Sequence, residues 1–575
     1  MSSPAIASAP APLSLPAVLA RALARHSTRA FGLMGNGNAH FIEHLADAGI
    51  AYTAVRHEAA TVASADAYHR VSGELAIATT TYGAGFTNAL TALAESAQAR
   101  IPMILVAGDA PTSGTRPWDV DQEMMAAAMS VRTITLTPDD LEATVDRAVA
   151  SAWRIRRPIV LAIPYDLSTA PVLDPEPDTD TDTVAAGIDL NDPEVMRALA
   201  AATLPASAPA ATPTPTRQAE RPRTVASPDD LAAALRALRE AERPLVLAGR
   251  GAWIAQSQGE LRELAERLGA PTATTALARG IFADERYDLG VTGGFGQEAA
   301  MAVIAEADVV VAVGAGLNQF TMRFGELLGA GATLIRIDAD QVAPPRTVHP
   351  ITQVLLRGDA KEVLRLLLSE LPGAGPAGGW RETIPGLEPG GSLRMRDDGR
   401  TEHPDGVCPD GLLDPRAVAA GLAALLPEDR HVTSDGGHFI GWANMFWPVA
   451  SPERMLMVGT AYQTIGLGLS TVAGVAAAAP ASTVVVTTGD GGALMGLAEL
   501  QSAILAAESC VIVVWNDAAY GAEVHLYGAM GLDEAAMRIP RADFAGLATA
   551  LGATGVRVDT LDDLDALGDW TRAGG

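Results

Sequence analysis

The chain has 575 residues, 48% of them hydrophobic, which is enough to bury several cores and makes three domains the natural expectation. A net charge of -27 and a pI near 4.7 argue against nucleic acid or an anionic membrane surface as partner. Lys361 is the only lysine, so chemistry that needs a placed lysine, such as a Schiff base or a Walker-type phosphate loop, has one poor candidate in a helix start.

Residues 1–12 are rich in Ala, Pro and Ser and read as a disordered tail, lacking the basic region and apolar core of a signal peptide. From 13 to 169, short apolar strands at 31–34, 77–80, 103–107 and 159–163 alternate with helical patterns at 58–70 and 87–99. Such alternation predicts a parallel sheet covered on both faces. Composition then collapses into Pro, Thr, Ala and Asp over 170–223, a linker interrupted by a short helix near 193–202. A second α/β unit spans 224–371, with strands at 245–249, 309–313 and 334–337. Gly249-Arg250-Gly251 and Gly314-Ala315-Gly316 follow two of these and read as tight strand-to-helix turns. A Gly/Pro-rich linker covers 372–412, and a third α/β unit covers 413–575. Its uncharged stretch 455–480 holds Tyr462, Gln463, Thr464 and many small residues, a buried helix rather than a membrane span. The chain ends at Gly575, soon after Trp570, where a sheet of this type is expected to return one more strand. The predicted fold class is α/β, with three doubly wound parallel-sheet domains. The two cysteines, Cys408 and Cys510, lie far apart without metal-type spacing and fit a reducing cytoplasm.

The third unit carries the chemistry. An apolar run over 482–488 predicts a buried strand ending at Gly489, which sets Asp490 at the strand's C-terminal edge, where open α/β sheets bind ligands. Gly489, Gly491 and Gly492 let the backbone approach phosphate oxygens. A helix with Glu499 and Leu500 leads to a second strand, 510–515, whose turn Asn516-Asp517-Ala518-Ala519-Tyr520 returns to the same edge. Two side-chain oxygens, a backbone carbonyl and diphosphate oxygens suit octahedral Mg²⁺.

This order resembles the thiamine-diphosphate signature, Gly-Asp-Gly followed roughly two dozen residues later by Asn-Asn. Here Asp517 stands for the second Asn, keeping an oxygen ligand and adding a charge. The resemblance implies that Asp490, Asp517 and the carbonyl of Ala519 hold Mg²⁺, with Asn516 supporting the turn. In the first unit, Arg56-His57-Glu58 and Thr81-Tyr82-Gly83-Ala84-Gly85-Phe86-Thr87-Asn88 resemble the pyrimidine-binding domain of the acetolactate synthase-like group. Glu58 matches the glutamate that activates the cofactor, expected in an apolar pocket, and Tyr82, Gly83, Gly85 and Asn88 match the turn beside it. Gln122 sits where synthase relatives place a cofactor-side Gln. Ser434-Asp435-Gly436-Gly437-His438 looks like the turn that meets the diphosphate, and Ile465 the bulky residue beneath the bent cofactor. The central unit looks like the group's middle domain. Gly316-Leu317 stands where flavin-bearing members tend to carry Arg, so no FAD is expected.

The implied activity is decarboxylation of a 2-oxo acid through the cofactor's C2 ylid, the resulting enamine being protonated or added to a second carbonyl. Glu523 matches by spacing a glutamate of simple decarboxylases, and His525 and His438 offer further acid–base groups. The paired histidines of the pyruvate decarboxylase branch are missing from the first unit. The same resemblance implies a homodimer or homotetramer, with the site between chains. Cleavage of an acyloin or diketone, and cofactor binding without turnover, stay open as alternatives.

Overall fold

The structure, a computed structural model, describes residues 13–172, 226–282, 286–373, 379–388 and 390–575. The expected tail at 1–12, most of the 170–223 linker and its short helix lie outside the described residues. Two compact units divide the chain near residue 220, with 70–72 assigned to the second.

In the first unit, six parallel strands run in the order β2-β1-β3-β4-β6-β5. They are β1 (Arg29–Gly32), β2 (Ala51–Ala54), β3 (Ile77–Thr80), β4 (Met103–Asp109), β5 (Arg132–Thr135) and β6 (Pro158–Pro164). The central strands β3, β4 and β6 are buried almost throughout, as continuous apolar strands of a doubly covered sheet should be. Helix Leu15–Ala24 packs Leu15, Leu19 and Leu23 into a core with Ile104, Val106, Ile159 and Leu161. The helix expected from 87 begins earlier, at Ala84, because Gly83 with φ +60° turns the chain directly out of β3.

The second unit holds two sheets. The larger has strands β7 (Pro244–Ala248), β8 (Thr272–Thr274), β9 (Asp288–Val291), β10 (Val309–Val313), β11 (Thr333–Asp338) and β12 (Thr352–Arg357), in the order β12-β11-β10-β7-β8-β9. Its two glycine turns pack on each other. A Cβ on Gly249 would lie 2.3 Å from the Gly314 carbonyl oxygen, and Gly251 N donates to that oxygen at 2.9 Å. The Gly/Pro-rich 372–412 segment is anchored, since Ile384, Leu387 and Leu393 are buried in the core of this sheet.

The smaller sheet comprises β13 (Arg430–Ser434), β14 (Met455–Leu456), β15 (Thr483–Gly489) and β16 (Cys510–Trp515), in the order β14-β13-β15-β16. That is the order of the first four strands of the N-terminal sheet. Helix Val472–Ala478, with Val472 and Val475 fully buried, lies in the uncharged stretch. Among the described residues no helix is long and apolar enough to cross a membrane, and no strand follows β16.

Candidate active site

Strands β13, β15 and β16 are neighbours, and all three end at one edge of the small sheet. Each then enters a turn bearing a carboxylate: Asp435 after β13, Asp490 after β15 and Asp517 after β16.

Asp490 opens the helix Asp490–Met495 and is 3% exposed. Its Oδ1 accepts the Gly491 N–H at 2.9 Å, and the Ala518 N–H also reaches the carboxylate. Among the described residues its buried Oδ2 has no hydrogen-bond donor, and the same holds for Asn516 Oδ1. Asn516 Nδ2 donates to the Ala542 carbonyl at 3.1 Å, which braces the turn. Asp517 is exposed, and its Oδ1 accepts the N–H of the buried Ala519 at 3.1 Å. Ala518 between them adopts φ +56°, a left-handed conformation that folds the turn back toward Asp490. Burial, and then the charge of Asp517, raise the Asp490 pKa above the usual carboxylate range.

Two buried acceptors without donors, beside two carboxylates, are costly for a protein alone, at about 1–3 kcal/mol per unsatisfied group. Oxygen donors on neighbouring turns of one sheet edge are what a hard divalent cation takes as ligands. The glycines let neighbouring side chains pack directly against the turn backbone. A Cβ on Gly491 would press on the Tyr520 ring at 2.9 Å, one on Gly489 on Phe439 at 3.0 Å, and one on Gly492 on Asp435 Oδ2 at 2.7 Å. Tyr520 itself is anchored through its N–H to the Met537 carbonyl at 2.8 Å.

In the sequence Asp435 reads only as part of a turn, yet its carboxylate joins the parts of this edge. Only 1% exposed, it accepts the Gly436 N–H at 2.8 Å and Thr488 Oγ1 at 3.2 Å. The Gly466 N–H reaches both its oxygens, at 3.0 and 3.1 Å, and the Gly468 N–H contributes too. Desolvation raises its pKa despite these donors. The result is that the 464–468 segment is tied to the β13 and β15 ends. Ile465 on that segment is 42% exposed, with its side chain between the Gly436 and Gly492 turns. An Asp followed by two glycines at a strand end, as in Asp490-Gly491-Gly492, is the available signal.

Gly437, at φ +140°, leads into a short turn of helix carrying His438. The His438 ring stacks on His525, with centroids 4.3 Å apart at 26°. Desolvation and the neighbouring His525 lower the His438 pKa. Gly521 fits beneath, since a Cβ there would meet Asp517 Oδ2 at 2.7 Å and His438 Cβ at 3.4 Å. His525 lies in a π-helical turn, Val524–Gly528, of the kind frequent at functional sites. Glu523 sits on the preceding helical turn and is exposed.

In the first unit, Glu58 begins the helix Glu58–Ser72, capped by His57 accepting the Ala59 N–H at 3.1 Å. Its half-buried carboxylate accepts Asn88 Nδ2 at 3.0 Å, and Gly85 keeps the next helix close, a Cβ there lying 3.3 Å from Glu58 Oε1. Gln122 is 3% exposed with both ends of its amide engaged. Oε1 accepts the Gly83 N–H at 2.7 Å, while Nε2 donates to the Gly108 carbonyl at 2.8 Å and to Asp109 at 3.1 Å. Gln122 therefore fixes the Gly83 turn. The Tyr82 ring is covered by the Arg116 guanidinium at 4.2 Å, itself paired with Asp119 at 2.7 Å.

Three family profiles of thiamine pyrophosphate enzymes match the chain: the N-terminal TPP binding domain over 14–130, the central domain over 231–367 and the C-terminal TPP binding domain over 435–571. The chain is 30% identical to the probable 2-ketoarginine decarboxylase AruI of Pseudomonas aeruginosa, covering 95% of this chain and 90% of that one. It is 27% identical to the acetolactate synthase isozyme 3 large subunit of Escherichia coli, over 90% and 84% of the two chains. Among solved structures, the thiamine diphosphate-dependent 4-hydroxybenzoylformate decarboxylase of Rhodococcus jostii RHA1 shares the fold. Its TM-score is 0.73 at 20% identity, covering 97% of each chain. The domain order, the carboxylate-bearing strand ends and these matches together establish that the chain belongs to the thiamine pyrophosphate enzymes, in the acetolactate synthase-like group, with thiamine diphosphate as its cofactor.

Proposed function

We propose that the chain binds thiamine diphosphate through Mg²⁺ at the edge formed by β13, β15 and β16, and decarboxylates a 2-oxo acid, the remaining fragment leaving as an aldehyde or joining a second carbonyl. The observation that carries this reading is Asp490 Oδ2, buried at the strand edge and without a hydrogen-bond donor among the described residues. Asp490, Asp517 and the Ala519 carbonyl hold the ion, and Asn516 keeps the turn in place. The Gly437 and Gly489–Gly492 backbone cradles the diphosphate, and Tyr520 closes over it. Ile465, with its side chain between the Gly436 and Gly492 turns, would support the cofactor.

When bound, thiamine diphosphate supplies a carbon nucleophile that adds to the substrate carbonyl and accepts the electron pair left by CO₂. Glu58, oriented by Asn88, shares a proton with the pyrimidine ring nitrogen. Tyr82, Gly83 and Gly85 line the pyrimidine's side, and Gln122 acts on it only through Gly83. His438, its pKa held down, exchanges protons with the substrate together with Glu523 and His525. A second copy of the chain completes the site, as a homodimer or homotetramer, and the protein works in the cytoplasm.

Calorimetric titration of thiamine diphosphate, with and without Mg²⁺, on wild type and Asp490→Ala tests the site. Metal-dependent binding that disappears in the variant supports it, and binding indifferent to Asp490 overturns it. A panel of 2-oxo acids assayed for CO₂ release then tests the activity. It includes pyruvate and 2-ketoarginine, the substrate in the name of the Pseudomonas relative.

A further inference from the structure

Away from the strand ends, the segment 403–414 brings a thiol, an imidazole and a carboxylate together. His403 Nδ1 lies 2.9 Å from Asp414 Oδ2 and 3.8 Å from Cys408 Sγ. All three potential ligand atoms fall within 4.8 Å of one another. The backbone makes this convergence rigid without regular secondary structure. Cys408 N donates to the Leu412 carbonyl at 2.7 Å, Gly411 N to the Cys408 carbonyl at 2.9 Å, and Asp414 N to the Gly406 carbonyl at 2.7 Å. Gly406 and Gly411, at φ +73° and +81°, make the turns that this requires. Asp414 is nearly buried, its side chain 2% exposed, and His403 is 15% exposed, so one side of the cluster remains open to water.

We propose that His403, Cys408 and Asp414 form a site for one borderline-soft divalent cation of the Zn²⁺ type, held by one nitrogen, one sulfur and one oxygen, with water as fourth ligand. In a tetrahedral site Zn²⁺ sits about 2.0–2.3 Å from such ligands, which sets them roughly 3–4 Å apart, and the atoms here, within 4.8 Å of one another, reach that spacing by small side-chain rotations. Binding releases one proton, from the Cys408 thiol to solvent, and moves the His403 ring proton from Nδ1 to Nε2, leaving Nδ1 free to ligate. Arg416 competes for Asp414, since its Nη2 also reaches Oδ2, at 2.6 Å. That guanidinium has other carboxylates to hold it, Asp397 at 3.0 Å and Glu402 at 2.9 Å. Asp414 Oδ1 keeps the bonds from Arg416 N and Nε, at 2.9 and 3.0 Å, while Oδ2 turns to the ion. The ion would staple the segment that leads into helix Pro415–Leu425 and the small sheet. This differs in place and in ligand softness from the all-oxygen site at Asp490, and does not rest on the proposed reaction.

The test uses the full chain, stripped with a chelator and titrated with Co²⁺ alone, without thiamine diphosphate. Cys510 is the only other thiol, and burial on β16 pushes it up to about 12, so a thiolate signal reports Cys408. The expected result is one equivalent of Co²⁺ with a thiolate-to-metal charge-transfer band. That band persists in Asp490→Ala and disappears in Cys408→Ser. His403→Gln weakens binding by at least about tenfold, since even an outer-shell change costs 10–100-fold. Cobalt bound by Asp490→Ala without the band, or a band unchanged in Cys408→Ser or His403→Gln, overturns the proposal. So does the absence of any ion beyond the one lost in Asp490→Ala.

Discussion

The Asp435 carboxylate receives the Gly466 N–H on both oxygens, at 3.0 and 3.1 Å, across a join between two segments that share no strand pairing. The first prediction follows from this join. In Asp435→Asn one oxygen becomes an amide donor facing backbone N–H groups that need acceptors. The protein should lose about 1–3 kcal/mol, the cost of leaving a buried group unsatisfied. Once folded, it should show a larger fall in kcat than rise in KM, because Ile465 moves with Gly466. Denaturant unfolding and steady-state kinetics check the two halves separately, and an unchanged kcat removes the positioning role.

Asp490→Asn should act in opposite directions on stability and on binding. Without cofactor or Mg²⁺, the variant removes the repulsion from Asp517 and a buried charge without a full set of donors, so it should gain about 1 kcal/mol. Metal-dependent cofactor binding should be lost. Thermal unfolding with and without ligands measures both, and a less stable variant in the absence of ligands contradicts the account.

Stability should also fall with acidity through His431. This ring on β13 is 5% exposed, accepts or donates to Ser482 Oγ at 2.9 Å, and is pushed down to about 4 by burial. Its folded pKa lies below the unfolded value of 6.5, so the unfolded chain takes up the proton first. Its contribution is complete above pH 6.5 and is lost as pH falls from there toward 4. Asp435 and Asp490, whose pKa values are raised, act with the opposite sign. The His431 effect is therefore read as the difference in slope between wild type and His431→Asn, which should be flatter between pH 6.5 and 4.

Glu58→Gln should fold and bind cofactor yet turn over 2-oxo acid about 10²–10⁴-fold more slowly, the range for loss of a general acid–base group. Retained activity would exclude Glu58 from the proton step. Gln122→Ala, by contrast, should destabilise by about 1–3 kcal/mol, because it strands the Gly83 N–H and the Gly108 carbonyl.

The sequence was most legible where strands are buried on both faces. Strands β3, β10 and β16 fall at the residues where their apolar runs predict them. The edge strands β2 and β5 are partly exposed and carry Tyr52, Arg132 and threonines, so no period of 2 or 3.6 marks them. Over 372–412 composition shows a Gly/Pro-rich linker but not that Ile384, Leu387 and Leu393, irregularly spaced, enter a core. In the site, Asp490 and the Asn516–Asp517 turn were legible because one motif carries them. The Asp435 bonds to Gly466 and Thr488, and the meeting of His438 with His525, depend on contacts distant in sequence. Similarly, cysteine spacing alone hid the His403 and Asp414 that the fold sets beside Cys408.

Because the three carboxylate turns hang from adjacent parallel strands, the sheet serves as a ruler. Adding or deleting one residue within β15 would turn Asp490 to the opposite face, whereas the same change in the helical connections would leave it where it is. Over evolutionary time, length variation in this half of the protein should therefore collect in the crossovers and spare the strands. The outlying segments would be free to acquire new recognition while the anchoring of the cofactor stays fixed.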